Sequence, residues 1–517
     1  MEFEFTACKD GTGYELKKLC TGYIEKNVVI PSEYKGKPVV SLGSYFAAYV
    51  IAGTIVIPES VKELKHEAFL HVTADEIIIP ATISKIPKKC FGYSTIKKIT
   101  FAAPENVKEV SEYAFYKSNI DELVWPSGCD IIPKACFKCS KSKHIEGISH
   151  VTEIMEGAFE YSCITHFVVP KKVNCIPEMC FNESALYSVE FENPQNLQEI
   201  KKGAFRSTLN LTRMVWPSGC EEIPAGCFEN SNICEISGIE NVKKINPGAF
   251  THTKKLKTME WPKKCNLVPE RCFEYSGITQ LGGTSEITYV EGKAFMGSNI
   301  SSISLPNVIM IAESSFELSD IASIDLSKSE SLFSVNKRAF AKTSNLKKVK
   351  WSPFCTTIPE KCFFQSSIKE ISGIENVEVI SDWAFAHSGI ESIAWPPSCC
   401  IIPEGCFTDT PISCLGDISN VVVIFPFAFS ITSKLEEIYW PKHCLKIPEA
   451  AFHGSEIERV YVQSDNINIM KDCFLHSKIK EIHAEDCEAV KIYESNQQEL
   501  QEKLKVGFST LVHIFKG

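Results

Sequence analysis

The chain contains 517 residues, of which 44% are hydrophobic and 23% charged, and its formal net charge is −10 at pH 7. Because the basic residues are spread along an acidic chain, the charge argues against a nucleic-acid partner. No stretch approaches the about 18 consecutive apolar residues that a membrane-spanning helix needs, so no integral membrane segment is expected.

The first 40 residues are predicted to form an N-terminal cap. Residues 28–31 have the apolar composition of a strand, and a turn is expected at residues 35–38. Residues 1–10 have neither a basic start nor an apolar run, so they do not match a secretory signal and a cytoplasmic location stays open.

Residues 41–482 repeat one motif at intervals of 21 to 24 residues. The motif reads L-x-x-I-x-(I/W)-P-x-x-(V/C)-x-x-I-x-x-x-(A/C)-F, and its fixed positions are apolar or small. The phenylalanines that end successive copies are Phe69, Phe91, Phe115, Phe137, Phe159, Phe181, Phe205, Phe228, Phe250, Phe273, Phe295, Phe316, Phe340, Phe363, Phe385, Phe407, Phe429, Phe452 and Phe474. Since one copy cannot bury its own apolar face, this period predicts a solenoid of about twenty stacked units of 22–23 residues.

Each unit is predicted to contain a strand and a returning segment. The pattern L-x-x-I-x-(I/W) alternates inward and outward, as in a half-buried strand. Pro359 stands where a short helical turn would begin, because its missing N–H would be unpaired there in any case. We therefore expect a right-handed α/β solenoid with a parallel strand stack on one side and a short strand or helical turn on the opposite side.

Six tryptophans occupy the last inward position of the strand, at Trp125, Trp216, Trp261, Trp351, Trp395 and Trp440. Twenty-two residues after four of them comes a glycine, at Gly147, Gly238, Gly283 and Gly373. Because alternating large and small side chains lets stacked layers interdigitate, each indole ring is expected to lie beside a missing side chain. The pattern favours core packing over an exposed aromatic binding strip.

Cysteine is frequent, with 23 residues, and fourteen of them stand at two motif positions where other units have valine or alanine. This placement is typical of a small buried hydrophobe. Equivalent cysteines in alternate units would lie about 9–10 Å apart, beyond the ~7 Å between Cα atoms that a disulfide tolerates. We therefore predict reduced core cysteines, with a disulfide inside one unit as the alternative. A metal site is disfavoured, because zinc ligands usually come in closer pairs.

The period stops near residue 483, and residues 483–517 are predicted to form a C-terminal cap. Asn496 with Glu499 has the spacing of a capping box at the start of a short helix. Solenoids need such polar ends to stay soluble.

Motifs for catalysis or cofactor binding are missing from the sequence. It has no Walker-type phosphate loop, no G-x-G-x-x-G, no G-x-S-x-G and no H-E-x-x-H. The 12 histidines are scattered without pairing at metal or catalytic spacing. We therefore expect no catalytic residues, no cofactor and no metal ion.

The repeat resembles the BspA-type, or Treponema pallidum-type, leucine-rich repeat, whose hallmark is L-x-x-I-x-(I/L)-P-x-x-(V/L)-x-x-I-x-x-x-A-F. The resemblance covers nearly the whole chain, and residues 27–42 are similar to the usual N-terminal unit of that family. The W-P-S-G-C segments at 125–129 and 216–220 are similar to members expanded in mucosal protist parasites. The resemblance implies a surface protein that adheres to host cells, matrix proteins or other microbes.

A binding function would use the solvent-facing residues of the parallel strands, which form an extended concave surface in such arrays. Aromatic and arginine side chains are the usual energetic anchors of interfaces. The partner-binding residues predicted on this surface are Lys348, Lys350, Glu437, Tyr439, Arg459 and Tyr461. The predicted function is that of a surface-associated adhesion or antigen protein that binds a protein or another macromolecule. The alternative is an intracellular leucine-rich repeat scaffold for a cytosolic protein.

Overall fold

A computed structural model of the chain describes residues 2–20, 25–464 and 466–484. Of the predicted C-terminal cap, residues 483–517, only residues 483 and 484 are described, and the rest lies outside the described residues. The chain divides into two compact units, the first comprising residues 1–265 and 272–278 and the second comprising residues 266–271 and 279–517. Each unit is a β-solenoid of parallel strands, which confirms the predicted fold.

The first unit contains twenty-three strands among its described residues. In chain order these are β1 (Glu2–Ala7), β2 (Tyr14–Cys20), β3 (Glu25–Val29), β4 (Glu33–Tyr34), β5 (Lys37–Leu42), β6 (Ile51–Val56), β7 (Glu63–Leu64), β8 (Thr73–Ile79), β9 (Lys85–Ile86), β10 (Thr95–Phe101), β11 (Glu109–Val110), β12 (Asn119–Leu123), β13 (Ile131–Ile132), β14 (Glu153–Ile154), β15 (His166–Val169), β16 (Cys175–Ile176), β17 (Ser188–Phe191), β18 (Glu199–Ile200), β19 (Arg213–Val215), β20 (Glu222–Ile223), β21 (Glu235–Ser237), β22 (Lys244–Ile245) and β23 (Thr258–Glu260).

The second unit also contains longer strands and two-residue strands. Its described strands are β24 (Leu267–Val268), β25 (Gln280–Gly282), β26 (Tyr289–Val290), β27 (Met310–Ile311), β28 (Ser323–Asp325), β29 (Ser334–Val335), β30 (Lys348–Lys350), β31 (Thr357–Ile358), β32 (Glu370–Ser372), β33 (Val379–Ile380), β34 (Ile401–Ile402), β35 (Val423–Ile424), β36 (Glu437–Trp440), β37 (Lys446–Ile447), β38 (Arg459–Val462), β39 (Asn468–Ile469) and β40 (Glu481–Ala484).

Two kinds of parallel ladder run through each unit. The longer strands form one ladder, in which Ile96 of β10 pairs with Ala74 of β8 on one side and with Ile120 of β12 on the other. The two-residue strands form the second, as where β11 pairs with β9. At the N-terminal end, β1 pairs antiparallel with β2, and β2 pairs parallel with β5. Strand β3 already pairs parallel with β6, so the stack includes residues 25–29.

The segment predicted as a helical turn forms a third ladder instead of a helix. Around Phe91, the N–H groups of Cys90 and Gly92 donate to carbonyls three residues earlier, whereas those of Phe91 and Tyr93 donate to carbonyls of the next turn. Residues two before and two after the phenylalanine adopt positive φ, here Lys89 at 52° and Tyr93 at 57°. Alternate amides therefore bond within a turn and between turns. Helices in the described part are limited to three short 3₁₀ turns, Pro104–Asn106, Ile148–His150 and Thr284–Glu286.

The motif phenylalanines form a stack of rings through the core of each unit. From Phe69 to Phe91 the ring centroids lie 5.6 Å apart with a 15° interplanar angle, and from Phe363 to Phe385 they lie 5.4 Å apart at 11°. All nineteen are at most 4% exposed. Stacked rings of this kind add roughly 0.5–1.5 kcal/mol per pair to the free energy gained by burial. The phenylalanine column is thus a continuous apolar contact between successive turns.

The six motif tryptophans are buried, with at most 4% of each side chain exposed. Each indole N–H donates to the carbonyl of the residue four positions later, as from Trp351 to Cys355 at 2.9 Å. Burial of the ring and satisfaction of its polar atom show that these residues belong to the core and do not form a binding strip.

The expected packing of glycine against the indole ring is wrong. Gly147, Gly238 and Gly373 all have positive φ, of 73°, 76° and 78°. A Cβ atom built on Gly373 would lie 2.7 Å from the carbonyl oxygen of Trp351, and one on Gly238 would lie 2.9 Å from that of Trp216. The missing side chain therefore makes room for the backbone of the preceding turn and permits a left-handed conformation.

Candidate binding surface on the second unit

We define the strand face of the second unit as the outward side chains of β28, β30, β32, β36, β38 and β40. Along these strands the central residue is buried and its two neighbours point outward, because side chains alternate along a strand. On β36, for example, Ile438 is buried between Glu437 and Tyr439. The strand face therefore carries two columns of side chains that core packing leaves free to vary.

Three aromatic side chains stack on this face, and we call Tyr439, Tyr461 and His483 the aromatic ridge. The pairing of β36 with β38 and of β38 with β40 places them opposite one another. The ring centroids of Tyr439 and Tyr461 lie 4.6 Å apart at 12°, and those of Tyr461 and His483 lie 4.9 Å apart at 8°. Tyr439, which is 59% exposed, ends the ridge on its N-terminal side.

A charged column runs beside the ridge. Arg459 donates from Nε and Nη2 to Oε2 of Glu437 at 3.3 Å, and its Nη1 lies 3.7 Å from Oε2 of Glu458. The hydrogen bond to Glu437 raises the pKa of the Arg459 guanidinium, so the group stays charged. The ion pairs place the Arg459 guanidinium beside the aromatic ridge.

A cleft of about 650 Å³ lies directly before the ridge. The longer-strand ladder ends at β32 and resumes at β36, and the described residues between them contribute one isolated bridge, from Ser392 to Cys414. In the two turns between β32 and β36, the outward positions carry small residues, namely Ser392, Ala394, Cys414 and Gly416. This strand-face cleft lies where the longer-strand ladder is interrupted and these outward side chains are small.

The floor of the strand-face cleft is apolar and its rim is polar. Leu415, Ile438 and Trp440 form the floor and are 5%, 4% and 1% exposed. Polar lining residues are Ser413, Asp417, Ser419, Glu437, Lys442, His443 and Gln463. The backbone N–H of Ser419 donates to Asp417 at 2.9 Å, and this bond holds the pKa of the carboxyl below its usual range. The cleft thus presents fixed hydrogen-bonding groups around an apolar base.

The structure brings together four of the six residues predicted to bind a partner. Glu437, Tyr439, Arg459 and Tyr461 are neighbours on β36 and β38. Lys348 and Lys350 lie apart from them on β30, where they form ion pairs with Glu370 at 3.1 Å and Asp325 at 3.2 Å. These exposed pairs are worth little individually, because water screens them.

The sequence reasoning missed His483 and the strand-face cleft. His483 follows Tyr461 by the same 22 residues that separate Tyr461 from Tyr439, so the column could have been read from the period. The signal for the cleft was weaker, since it consists of small outward residues in two adjacent turns and of an interrupted ladder that no single residue marks.

The described part of the chain offers neither a metal site nor a membrane-spanning helix. No group of three or more histidine, cysteine or acidic residues there could hold a metal ion. Nor does any described helix have the length and apolar character needed to cross a membrane. None of the cysteines whose side chains the structure describes forms a disulfide, and the fourteen at motif positions are buried.

Parallel strand ladders, a stacked phenylalanine column and a variable strand face define a leucine-rich repeat solenoid, a class whose members are generally non-enzymatic scaffolds that bind protein ligands. The family model for the BspA type leucine-rich repeat region (6 copies) matches residues 62–188, 152–280, 266–391 and 356–480. The chain belongs to this family, which confirms the resemblance seen in its sequence. Family and fold together indicate a repeat-based binding protein.

Several solved structures are similar to this chain. A leucine rich cell surface protein from Faecalibacterium prausnitzii has 16% identity and a TM-score of 0.22, and the match covers 93% of both chains. The leucine rich repeat protein of T. pallidum has 17% identity and a TM-score of 0.21, over 49% of this chain and 87% of that one. The pneumococcal vaccine antigen PcpA has 15% identity and a TM-score of 0.23, over 94% and 92%. Among curated proteins, none matches this chain.

Proposed function

We propose that this chain is a non-enzymatic binding protein that acts at a cell surface in adhesion or as an antigen. The strand face of its second unit recognises a macromolecule of the host or of another microbe. The aromatic ridge supplies the anchors, and Glu437 and Arg459 supply charged contacts beside it. Lys348 and Lys350 extend the contact surface along the same face. The proposal assigns the chain no catalytic residue, cofactor or metal ion.

The observation that carries the proposal is the aromatic ridge beside the strand-face cleft. Tyr439 and Tyr461 point out of the core, and their rings stack with that of His483 on adjacent strands, so the three side chains form one continuous aromatic surface. Aromatic and arginine side chains dominate the energetics of most interfaces. Because paired strands hold the ridge in place, little conformational entropy is lost when a partner binds.

The second candidate is an intracellular scaffold that uses the same strand face for a cytosolic protein. The burial of fourteen cysteine thiols at motif positions favours this candidate, because thiols persist in a reducing compartment. The two candidates differ in where the protein resides and share the binding surface.

Location is tested by labelling intact source cells with a membrane-impermeant biotin reagent, followed by detection of this protein among the labelled material. We expect labelling of the protein beside an unlabelled cytosolic control. Labelling that requires cell lysis would contradict the surface role and support the cytosolic scaffold.

A further inference from the structure

One ring of the aromatic ridge has an uncovered face. Tyr439 stacks on Tyr461 on its C-terminal side. On the N-terminal side, the equivalent position one turn earlier is Gly416, which follows buried Leu415 just as Tyr439 follows buried Ile438. Gly416 has no side chain to stack, and both residues line the strand-face cleft. The ring of Tyr439 therefore forms one wall of the cleft and continues the ridge into open space.

A flat apolar surface can occupy the vacant position of this stack. Successive rings in the ridge are 4.6 and 4.9 Å apart, so a ligand ring in the cleft would sit at a comparable distance from Tyr439. Nucleobases, aromatic side chains and the C–H face of a pyranose sugar can all stack on tyrosine. Stacking on the ring of Tyr439 does not by itself distinguish these three kinds of ligand.

The polar residues at the rim of the cleft favour a pyranose over a nucleobase or an aromatic side chain. Asp417 and Glu437 are carboxylates, and the hydrogen bonds from Ser419 keep Asp417 ionised. Ionised carboxylates accept hydrogen bonds from hydroxyl groups and repel phosphate. The amide of Gln463 and the ammonium of Lys442 add donors on the same rim. An aromatic side chain from a protein would leave most of these groups without a partner, which is costly once water is excluded.

We infer that the strand-face cleft binds a pyranose ring of a glycan, with the C–H face of the sugar stacked on Tyr439 and its hydroxyl groups bonded to Asp417, Glu437 and Gln463. The inference rests on the proposed function, because it names the ligand class of the same surface. A neutral or cationic sugar fits the carboxylates better than an anionic one. The ring of Tyr439, which is 59% exposed, supplies the apolar surface on which a sugar ring loses bound water.

The inference is tested with the full chain on an array of immobilised glycans. We expect wild type to bind a subset of the array, and Tyr439→Ala to bind the same glycans at least tenfold more weakly. Tyr439→Phe keeps the ring and should stay within about twofold of wild type. Since Tyr439 is 59% exposed, its replacement should not unfold the chain, and unchanged melting midpoints verify this.

A matched control separates the cleft from general adhesion of exposed rings. Tyr49 is 73% exposed and stacks on His71 at 4.7 Å, but it lies in the first unit. Tyr49→Ala should leave glycan binding unchanged. Absence of any glycan binding by wild type, or equal binding by Tyr439→Ala, would overturn the inference. A second measurement uses cells whose sugars have been oxidised with periodate. If wild type still binds these cells and Tyr439→Ala does not, the glycan inference fails while the proposed function stands.

Discussion

Single residues with positive φ set the shape of each turn. Gly373 and Gly157 both lie in this region, at 78° and 60°. Their surroundings differ, because a Cβ atom on Gly373 would lie 2.7 Å from the Trp351 carbonyl oxygen, whereas one on Gly157 would lie 3.3 Å from the flexible carboxylate of Glu160. An added Cβ atom would thus overlap fixed backbone at Gly373, whereas at Gly157 only a flexible side chain would have to move.

Replacement of both glycines by alanine separates these two effects. An L-residue at positive φ costs about 1–2 kcal/mol in either variant. Gly373→Ala adds a backbone overlap that costs on the order of another 1–3 kcal/mol. Denaturant unfolding should therefore show a clearly lower free energy of unfolding for Gly373→Ala than for Gly157→Ala. Equal values for the two variants would contradict the close approach to Trp351.

The buried cysteines predict a loss of stability at alkaline pH. Burial raises the pKa of Cys220 to about 12 and that of Cys265 to about 11, from an ordinary value of 9.0. Below pH 9 the thiols are protonated in both the folded and the unfolded state, so their raised pKa does not change the free energy of unfolding. Between pH 9 and about 12 the unfolded thiols ionise first, so the free energy of unfolding falls as the pH rises.

Other units have valine at the position of these two cysteines. The double variant Cys220→Val/Cys265→Val is therefore a suitable comparison for the pH dependence of stability. Between pH 8 and pH about 11 its melting midpoint should fall less steeply than that of wild type. Identical slopes would show that the two thiols do not contribute. Lysine and tyrosine titrations act on both proteins alike and cancel in the comparison.

At the scale of the element, the third ladder is the feature that sequence reasoning did not find. The I-P-x-x-(A/C)-F segment has the start signal of a helix, and the helical prediction followed from Pro359 alone. The structure uses positive φ at two positions per turn instead, and alternate amides then reach the next turn. These positions are filled by many residue types, among them Met179, Arg271 and Phe427. Glycine fills such a position in some turns, as at Gly203 and Gly226, but other residue types fill most of them, so no single residue type marks the conformation in the sequence.

Ile431 tests the third ladder, since a β-branched side chain at a φ of 58° is strained. Asparagine tolerates this conformation better, so Ile431→Asn should raise the free energy of unfolding by about 1 kcal/mol or less. Ile401→Asn is the control, because Ile401 is similarly exposed but lies in β34. There asparagine is unfavourable and the same change should destabilise the fold. A loss of stability in Ile431→Asn would argue against the left-handed assignment.

At the scale of the whole molecule, the repeat period predicted the fold because every unit buries the same residues. The phenylalanine column, the parallel strands and the buried tryptophans follow from positions that recur every 21 to 24 residues. The site was predicted less completely, because binding residues stand at positions that the repeat leaves variable. Tyr439, Arg459 and Tyr461 were found from their chemistry, whereas the strand-face cleft depends on an interrupted ladder between β32 and β36.

Recognition by the strand face is tested most directly by binding of the fluorescently labelled full chain to intact epithelial cells and to other microbes in flow cytometry. We predict that wild type binds at least one of these surfaces and that Tyr439→Ala/Tyr461→Ala binds at least tenfold more weakly. The control Phe333→Ala/Phe354→Ala removes two rings that are 65% and 53% exposed and lie outside the strand face, and it should bind like wild type. Equal binding by the ridge variant and wild type, or no binding to any cell, would contradict the account.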